Sequence, residues 1–470
     1  MPSLADTLRQ RREWLAALID FPVLLWSGVR PARNFPANQY PFRASSHFLY
    51  FAGLPLERSA IQLQNGRMTL FLDDPSPAAA LWHGTAPTRD QIAAQIGADA
   101  AYPYAELMPT EDPRDPSLLE VSKWAMEAAT IGLPSPVRDA QSDMLDRTVE
   151  APNIPNVVDV QLARAIVSLR MQHDSTAVES IKAAVQATLE AHRVGMQVTT
   201  TVTTEAGVRA AMEQVLMTHN MTTAYNSIVT IQGEVLHNEH YHHPLTAGDL
   251  LLVDVGAETA TGWAADVTRT WPVSGQFSPT QRAVYDVVLA AHDAAIAAMA
   301  PGVEYRDIHL LACRHLAAGL VELGILQGQP DGLVEQDAHA LFFPHGIGHL
   351  LGLDVHDMED LGDLAGYAEG RQRSNRFGLG YLRLDRPLQP QMIVTIEPGF
   401  YQVPALLNDP QRRHQYRDVV NWERLEQFAD VRGIRIEDDV LLTESGVEIL
   451  TQDLPTQAVA IEQLVQSGRI

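Results

Sequence analysis

The sequence predicts an α+β protein of two domains, a small α/β domain over residues 1–158 and a larger helix-and-strand domain over 159–470. Three observations predict it. At 470 residues the chain exceeds one minimal domain, since about 150 residues suffice for each. The segment APNIPNVVD (151–159) carries two prolines and two asparagines between helical patterns, as a linker does. Short alternating elements precede it, whereas long helices followed by strands come after it.

In the first domain, helical spacing covers about 4–19, 88–96 and 115–128, and β-rich runs occur at VLLW (23–26), HFLYFAGL (47–54) and MTLFL (68–72). In the second, Ile181, Val185 and Leu189 form one apolar helical stripe, for which Gly195 is the expected stop. Ser278, Pro279 and Gln281 give the start of another helix: N-cap, first-turn proline and capping-box partner. Pro301-Gly302 end it, and a further helix covers about 305–323. Strands are expected at 249–257, 263–273, 392–402 and 433–443. The polar stretches 357–390 and 403–432 are long for simple connections, which predicts loops bordering a site.

Composition excludes several classes. A net charge of −24 repels phosphate backbones, so no nucleic-acid partner is expected. The only lysines are Lys123 and Lys182, and neither follows a glycine-rich turn, which removes phosphate-loop nucleotide enzymes. No G-x-S-x-G elbow is present. The single cysteine, Cys313, lies in an apolar helical run and reads as packed and inert; multi-cysteine metal sites are excluded. The polar start MPSLADTLRQRREWL lacks the apolar core of a secretion signal, and no apolar run of about 18 residues occurs. A cytoplasmic protein with no membrane partner is the expectation.

The chemistry shows in misplaced acids. Asp254 sits in LLLVDVGA, Asp266 in WAADVTRTW, Glu397 in IVTIEPGF and Glu437 in IRIEDDV. A carboxylate in such an apolar run costs several kcal/mol unless compensated. Arg269 and Arg435 are the nearby cations, too few for four acids, so bound cations are the economical compensation. In HGIGH…DVHD, His345 and His349 stand at i, i+4, with His356 following. Gly346 occupies the position where the zinc-protease helix H-E-x-x-H has glutamate, so a glycine-rich edge or turn fits better than a helix. Carboxylates with one imidazole suit divalent Mn²⁺ first, with Co²⁺ and Zn²⁺ as alternatives. Four negative charges match two divalent ions, a pair about 3.5–4 Å apart that could hold a bridging hydroxide as nucleophile.

In order along the chain, VDVGAETATGWAADVTRTWP, HGIGHLLGLDVHD, TIEPGFY and GIRIEDDV resemble the signatures of the pita-bread metallopeptidases, over residues about 160–452. YPFRASSHFLYFAGLP resembles the amino domain shared by the aminopeptidase P and prolidase branches. The resemblance implies a pita-bread catalytic domain with Asp254, Asp266, His349, Glu397 and Glu437 as ligands to two metal ions, Asp266 and Glu437 bridging. It implies substrate or intermediate contacts for His237 and His356, support from His345, and a role for Arg435 in orienting the bridging carboxylates. Glu397 or a neighbouring carboxylate would also move the proton, and a homodimer is common in the resembling families.

The inserts between His356, Glu397 and Glu437 resemble prolidase, including Arg383 in an L-R-x-x-R-x-L-Q-P pattern. A guanidinium there would grip the free carboxylate of a small proline-containing dipeptide. The expected reaction is hydrolysis of the Xaa-Pro bond of dipeptides. The alternatives are an Xaa-Pro aminopeptidase acting on longer peptides, a carboxypeptidase-like use of Arg383, and a non-catalytic binding module. Two features depart from the pattern: Gln391 stands where glycine is usual, and VLHNEHYHHP adds His240, His242 and His243.

Overall fold

A computed structural model describes residues 2–107, 127–151 and 153–468. The helix expected near 115–128 lies almost wholly outside the described residues. The chain divides into two compact units, Met1–Met171 with Met358–Ala365, and Gln172–Asp357 with Gly366–Ile470.

The first unit is built on a four-stranded sheet in the order Val23–Trp26, Ala60–Gln64, Arg67–Phe71, Ala100–Tyr102, whose last pair is parallel. The helix Leu4–Leu18 buries Leu8 and Leu15, and Arg89–Ile96 begins with a complete Thr88–Gln91 capping box. The run HFLYFAGL is not a strand: Ser46–Ala52 is a helix, all seven residues buried. A short run that is apolar after its first residue carries no periodicity to separate the two states. Tertiary contacts decide it, because His47 is gripped between Arg170 Nη1 and Asp360 Oδ2, each at 2.9 Å. The helix Val157–Arg170, capped by Asn156, belongs to this unit. Its buried Asp159 accepts from Arg147 at 2.5 and 2.8 Å and from the Thr130 amide at 2.8 Å.

In the second unit a helix pair precedes each group of strands. Ser175–Val198 packs on Glu205–Thr218, and Pro279–Ala297 packs on Tyr305–Glu322. Ser278 and Gln281 form the expected capping box. Gly195 does not stop the first helix. A Cβ there would lie 2.6 Å from Met212 Sδ, so the glycine lets the neighbouring helix approach. One three-stranded sheet runs Ile228–Thr230, Leu250–Asp254, Thr268–Pro272; another runs Ile393–Ile396, Asp438–Thr443, Gly446–Ile449. Gly399–Tyr401 pairs with Gly433–Arg435.

Each long strand expected near the acids is therefore shorter or broken at them. Asp254 is the last residue of its strand, opposite Thr268, and Asp266 precedes the next strand. Glu397-Pro398 separates Ile393–Ile396 from Gly399–Tyr401, where proline cannot donate to a ladder. Ile436-Glu437 separates Gly433–Arg435 from Asp438–Thr443. The acids sit where the backbone leaves the sheet.

Gln391, in the position where the resemblance led us to expect glycine, has φ +69°. Its amide donates to Leu442 O at 2.8 Å and its carbonyl accepts from the His173 amide at 2.9 Å, which holds it in this left-handed conformation. Relief of that strain should outweigh glycine's extra unfolded-state entropy. Gln391→Gly is expected to stabilise this unit by about 1 kcal/mol, read from the urea unfolding midpoint. A lowered midpoint would show that the Gln391 side chain contributes more than its backbone costs.

Candidate metal centre

Asp254 and Asp266 are brought together by antiparallel pairing of Leu250–Asp254 with Thr268–Pro272. HGIGH is not helical; it runs beside Ile393–Ile396, the Thr395 amide donating to His349 O at 3.0 Å and the Glu397 amide to Ile347 O at 2.7 Å. This approach requires Gly348, where a Cβ would lie 2.2 Å from Thr395 O. Glu437 leaves its own sheet and donates its amide to Thr268 O at 3.0 Å. Four strand ends thus aim acids and one imidazole at a common point.

Donor atoms of Asp266, His349 and Glu437 all lie within 4.8 Å of one another, and the three residues are buried. His349 Nε2 is 3.3 Å from Asp266 Oδ2 and 3.8 Å from Glu397 Oε1. Its Nδ1 faces Leu350 O at 3.0 Å and donates there, which leaves Nε2 as the ring nitrogen turned toward the acids. Asp254 joins through Tyr225, whose hydroxyl oxygen is 2.5 Å from both Asp254 Oδ1 and Asp266 Oδ1. One hydroxyl proton cannot serve two carboxylates, so the trio demands another proton or a cation.

The electrostatics point the same way. Burial, then Asp254, pushes the Asp266 carboxyl well above the usual range; burial, then Asp266 and Glu397, does the same to Glu437. Burial pushes Glu397 up to about 7 despite His349 and Arg435. Asp438, next to Glu437, shows what compensation looks like. Burial works against its charge too, but Arg269, the adjacent His292 ring and a hydrogen bond from Thr451 hold it at about 2. Asp266 and Glu437 have Tyr225, His349 and Thr268 as partners instead. A donor set of this kind fits divalent cations.

Arg435 organises the surroundings. Its Nη2 donates to Asp254 Oδ2 at 2.6 Å and its Nε to Thr268 Oγ1 at 3.0 Å. Thr268 in turn donates to Glu437 Oε2 at 2.7 Å. Arg435 Nη1 reaches the Tyr401 hydroxyl at 3.1 Å, which lies 2.8 Å from His345 Nε2. His345 Nδ1 is 2.8 Å from Gly346 O. Burial, then Arg435, drives the His345 pKa down to about 3, so it is neutral, accepting from Tyr401 and donating to Gly346. Arg435 thus touches Asp254 directly and Glu437 only through a threonine.

The remaining predicted residues border this core. The His356 ring stacks edge-on against His349, centroids 4.3 Å apart. His237 is exposed at the rim; burial of its ring, then Arg435, lowers its pKa, with smaller effects from Asp254, Arg383 and His356. Arg383 is half-buried and acts on both His237 and His345. His240, His242 and His243 form a separate surface group, with His243 Nδ1 2.8 Å from Glu205 Oε2. The sequence did not single out Tyr225, Thr268, Tyr401 or Asp439, which accepts from the Asp266 amide at 3.2 Å. Tyr401 and Thr268 stand inside recognised motifs, whereas Tyr225 in TAYNS carries no signal.

Residues 179–444 match the family described as "Metallopeptidase family M24", and residues 8–110 match "Aminopeptidase P, N-terminal domain". Human Xaa-Pro dipeptidase is 30% identical over 441 residues, covering 91% of this chain and 85% of its own. The Xaa-Pro aminopeptidase of Haemophilus influenzae is 30% identical, with 94% and 93% covered. The structure of Pseudomonas aeruginosa aminopeptidase PepP superposes with a TM-score of 0.79 at 26% identity, covering 100% of this chain and 99% of that one. With its matched region spanning more than half of its length and taking in the strand that follows Glu437, the chain belongs to metallopeptidase family M24.

Proposed function

We propose that this chain hydrolyses the Xaa-Pro bond of dipeptides. Asp254, Asp266, His349, Glu397 and Glu437 would hold two divalent ions, Mn²⁺ first and Co²⁺ or Zn²⁺ as alternatives. The observation that carries the reading is the cluster of Asp266, His349 and Glu437 donors within 4.8 Å, in a chain whose relatives include an Xaa-Pro dipeptidase. Bound ions would polarise the scissile carbonyl and acidify the attacking water. Arg435 and Tyr225 hold the carboxylates in place for this. Glu397 carries the proton from water toward the leaving proline nitrogen, and His237 and His356 donate to the developing oxyanion. Arg383 binds the free carboxylate of the proline.

The second reading, an Xaa-Pro aminopeptidase trimming longer peptides, is favoured by the end-to-end likeness to aminopeptidase PepP. The two differ in whether a carboxylate must follow the proline directly. We also expect a cytoplasmic homodimer, on the strength of the families the sequence resembles; sedimentation at micromolar concentration checks the dimer. Among the described residues no helix is long and apolar enough to cross a membrane.

With Mn²⁺-loaded enzyme, Ala-Pro should be cleaved faster than Ala-Pro-Ala. Arg383→Ala should raise KM for Ala-Pro about thirtyfold, the loss of about 2 kcal/mol from one charge-assisted contact. Preference for Ala-Pro-Ala, released as Ala and Pro-Ala, would establish the aminopeptidase instead. The like charges make a second prediction. In ion-free buffer, Asp266→Asn should raise the melting temperature, by about 1 kcal/mol or about 2–4 °C, by removing one buried acid. Mn²⁺ at about 100 times its Kd should stabilise the wild type by about 2.7 kcal/mol and the variant by far less. Equal stabilisation of both would mean that Asp266 is not a ligand.

A further inference from the structure

The turn from Gly366 to Arg371, distant in sequence from every acid of the centre, is tied to the segment that carries Arg383. Arg371 Nη1 and Nη2 donate to Glu304 Oε2 and Oε1 at 2.6 and 2.9 Å, and Nη1 also reaches Asp385 Oδ1 at 2.8 Å. Asp385, two residues beyond Arg383, is buried, and its backbone is bonded on both sides: its amide to Gly366 O at 2.8 Å, its carbonyl to the Ala368 amide at 3.1 Å. Leu382 O accepts from the Tyr367 hydroxyl at 2.7 Å and from Arg373 Nη1 at 3.0 Å. Gly366 lies so close beneath Arg383 that a Cβ there would sit 2.2 Å from Arg383 O. On the other side, Arg386 O accepts from the Tyr305 amide at 3.0 Å, beside Glu304.

An isolated, half-exposed ion pair contributes little. Here one planar fork joins two carboxylates on different segments, and one of them is buried within the strand-like run 382–388. Such a clamp fixes where the Arg383 backbone stands between Tyr305 and Gly366. A guanidinium that must meet a carboxylate bidentately loses most of its advantage when displaced by about 1 Å.

We propose that Arg371 is a specificity-positioning residue: by clamping Glu304 to Asp385 it sets the placement of Arg383 and hence the preference for substrates with a free carboxylate on proline. The inference rests on the assignment of Arg383 to that carboxylate. The partners of Arg371 are Glu304 and Asp385, neither of them an acid of the centre.

The test compares kcat/KM for Ala-Pro and for Ala-Pro-amide, which lacks the carboxylate, in wild type, Arg371→Gln, Arg371→Lys and Arg383→Ala. Calorimetric binding of proline and prolinamide is measured alongside. In Arg371→Gln the Ala-Pro value should fall about tenfold, through KM rather than kcat, with Ala-Pro-amide unchanged and proline binding weakened to match. Arg371→Lys, which keeps the charge but not the fork, should fall between. Equal losses on both substrates, in whichever variant retains the wild-type melting temperature, would make the clamp merely structural and overturn the proposal. So would an unchanged ratio in both Arg371 variants beside a collapsed one in Arg383→Ala, which leaves the dipeptidase reading standing. An unchanged ratio in Arg383→Ala would remove that reading and the clamp's role with it.

Discussion

The second unit is organised around a surplus of buried negative charge. Asp254, Asp266, Glu397 and Glu437 converge where four strand ends meet, and Arg435 is the guanidinium bonded to one of them. Carboxylates packed this closely cannot all ionise without further positive charge. The displaced pKa values of Asp266, Glu397 and Glu437 express that constraint, and Asp438, relieved by Arg269, shows the same environment with its charge balanced. Much of the local architecture follows from getting the acids there. Strands end at them, a proline follows Glu397, and glycine replaces any larger residue where HGIGH meets Thr395.

Arg435 connects this core to its surroundings by three different routes, one to Asp254, one through Thr268 to Glu437 and one through Tyr401 to His345. Burial works against its charge, yet Tyr401, Asp254 and Glu437 keep it firmly protonated. Removing such a residue would therefore disturb both carboxylate orientation and the neutral state of His345. Those effects would be difficult to separate by a single substitution at that position.

The acids were legible in the sequence because a carboxylate in a β-branched run violates an expectation strong enough to need a cause. HGIGH was legible as non-helical from its glycines. Tyr225 was not, since a tyrosine before a strand is ordinary and only the folded distance of 2.5 Å to two acids reveals its place. Helix and strand were confused at Ser46–Ala52, where complete burial erases periodicity and His47's two partners lie far along the chain. Gly195 misled for a related reason: a glycine in a helix reads locally as a stop, but here it serves the neighbouring helix. Gln391 is the converse case, a position whose left-handed backbone explains why glycine was expected and which tolerates glutamine only because hydrogen bonds on either side hold it.

The predicted residues divide by what carries them. The acids and His349 of the candidate centre stand on or beside strand ends, whereas Arg383 and His237 stand on loops, and each loop is held by side-chain ties of its own. The segment of Arg383 is bonded to Arg371, Tyr367 and Arg373 through its neighbours. The long second insert returns through Arg432, which donates bidentately to Glu234, three residues before His237. With Arg383 and His237 in their proposed roles, substitutions in these ties would shift the substrate contacts while the strand-borne acids stay in register. On the proposed roles, hydrolysis and peptide-length preference would belong to separable parts of the same unit, and related chains could share the first while differing in the second. Such a separation would suit a chain that is 30% identical both to an Xaa-Pro dipeptidase and to an Xaa-Pro aminopeptidase.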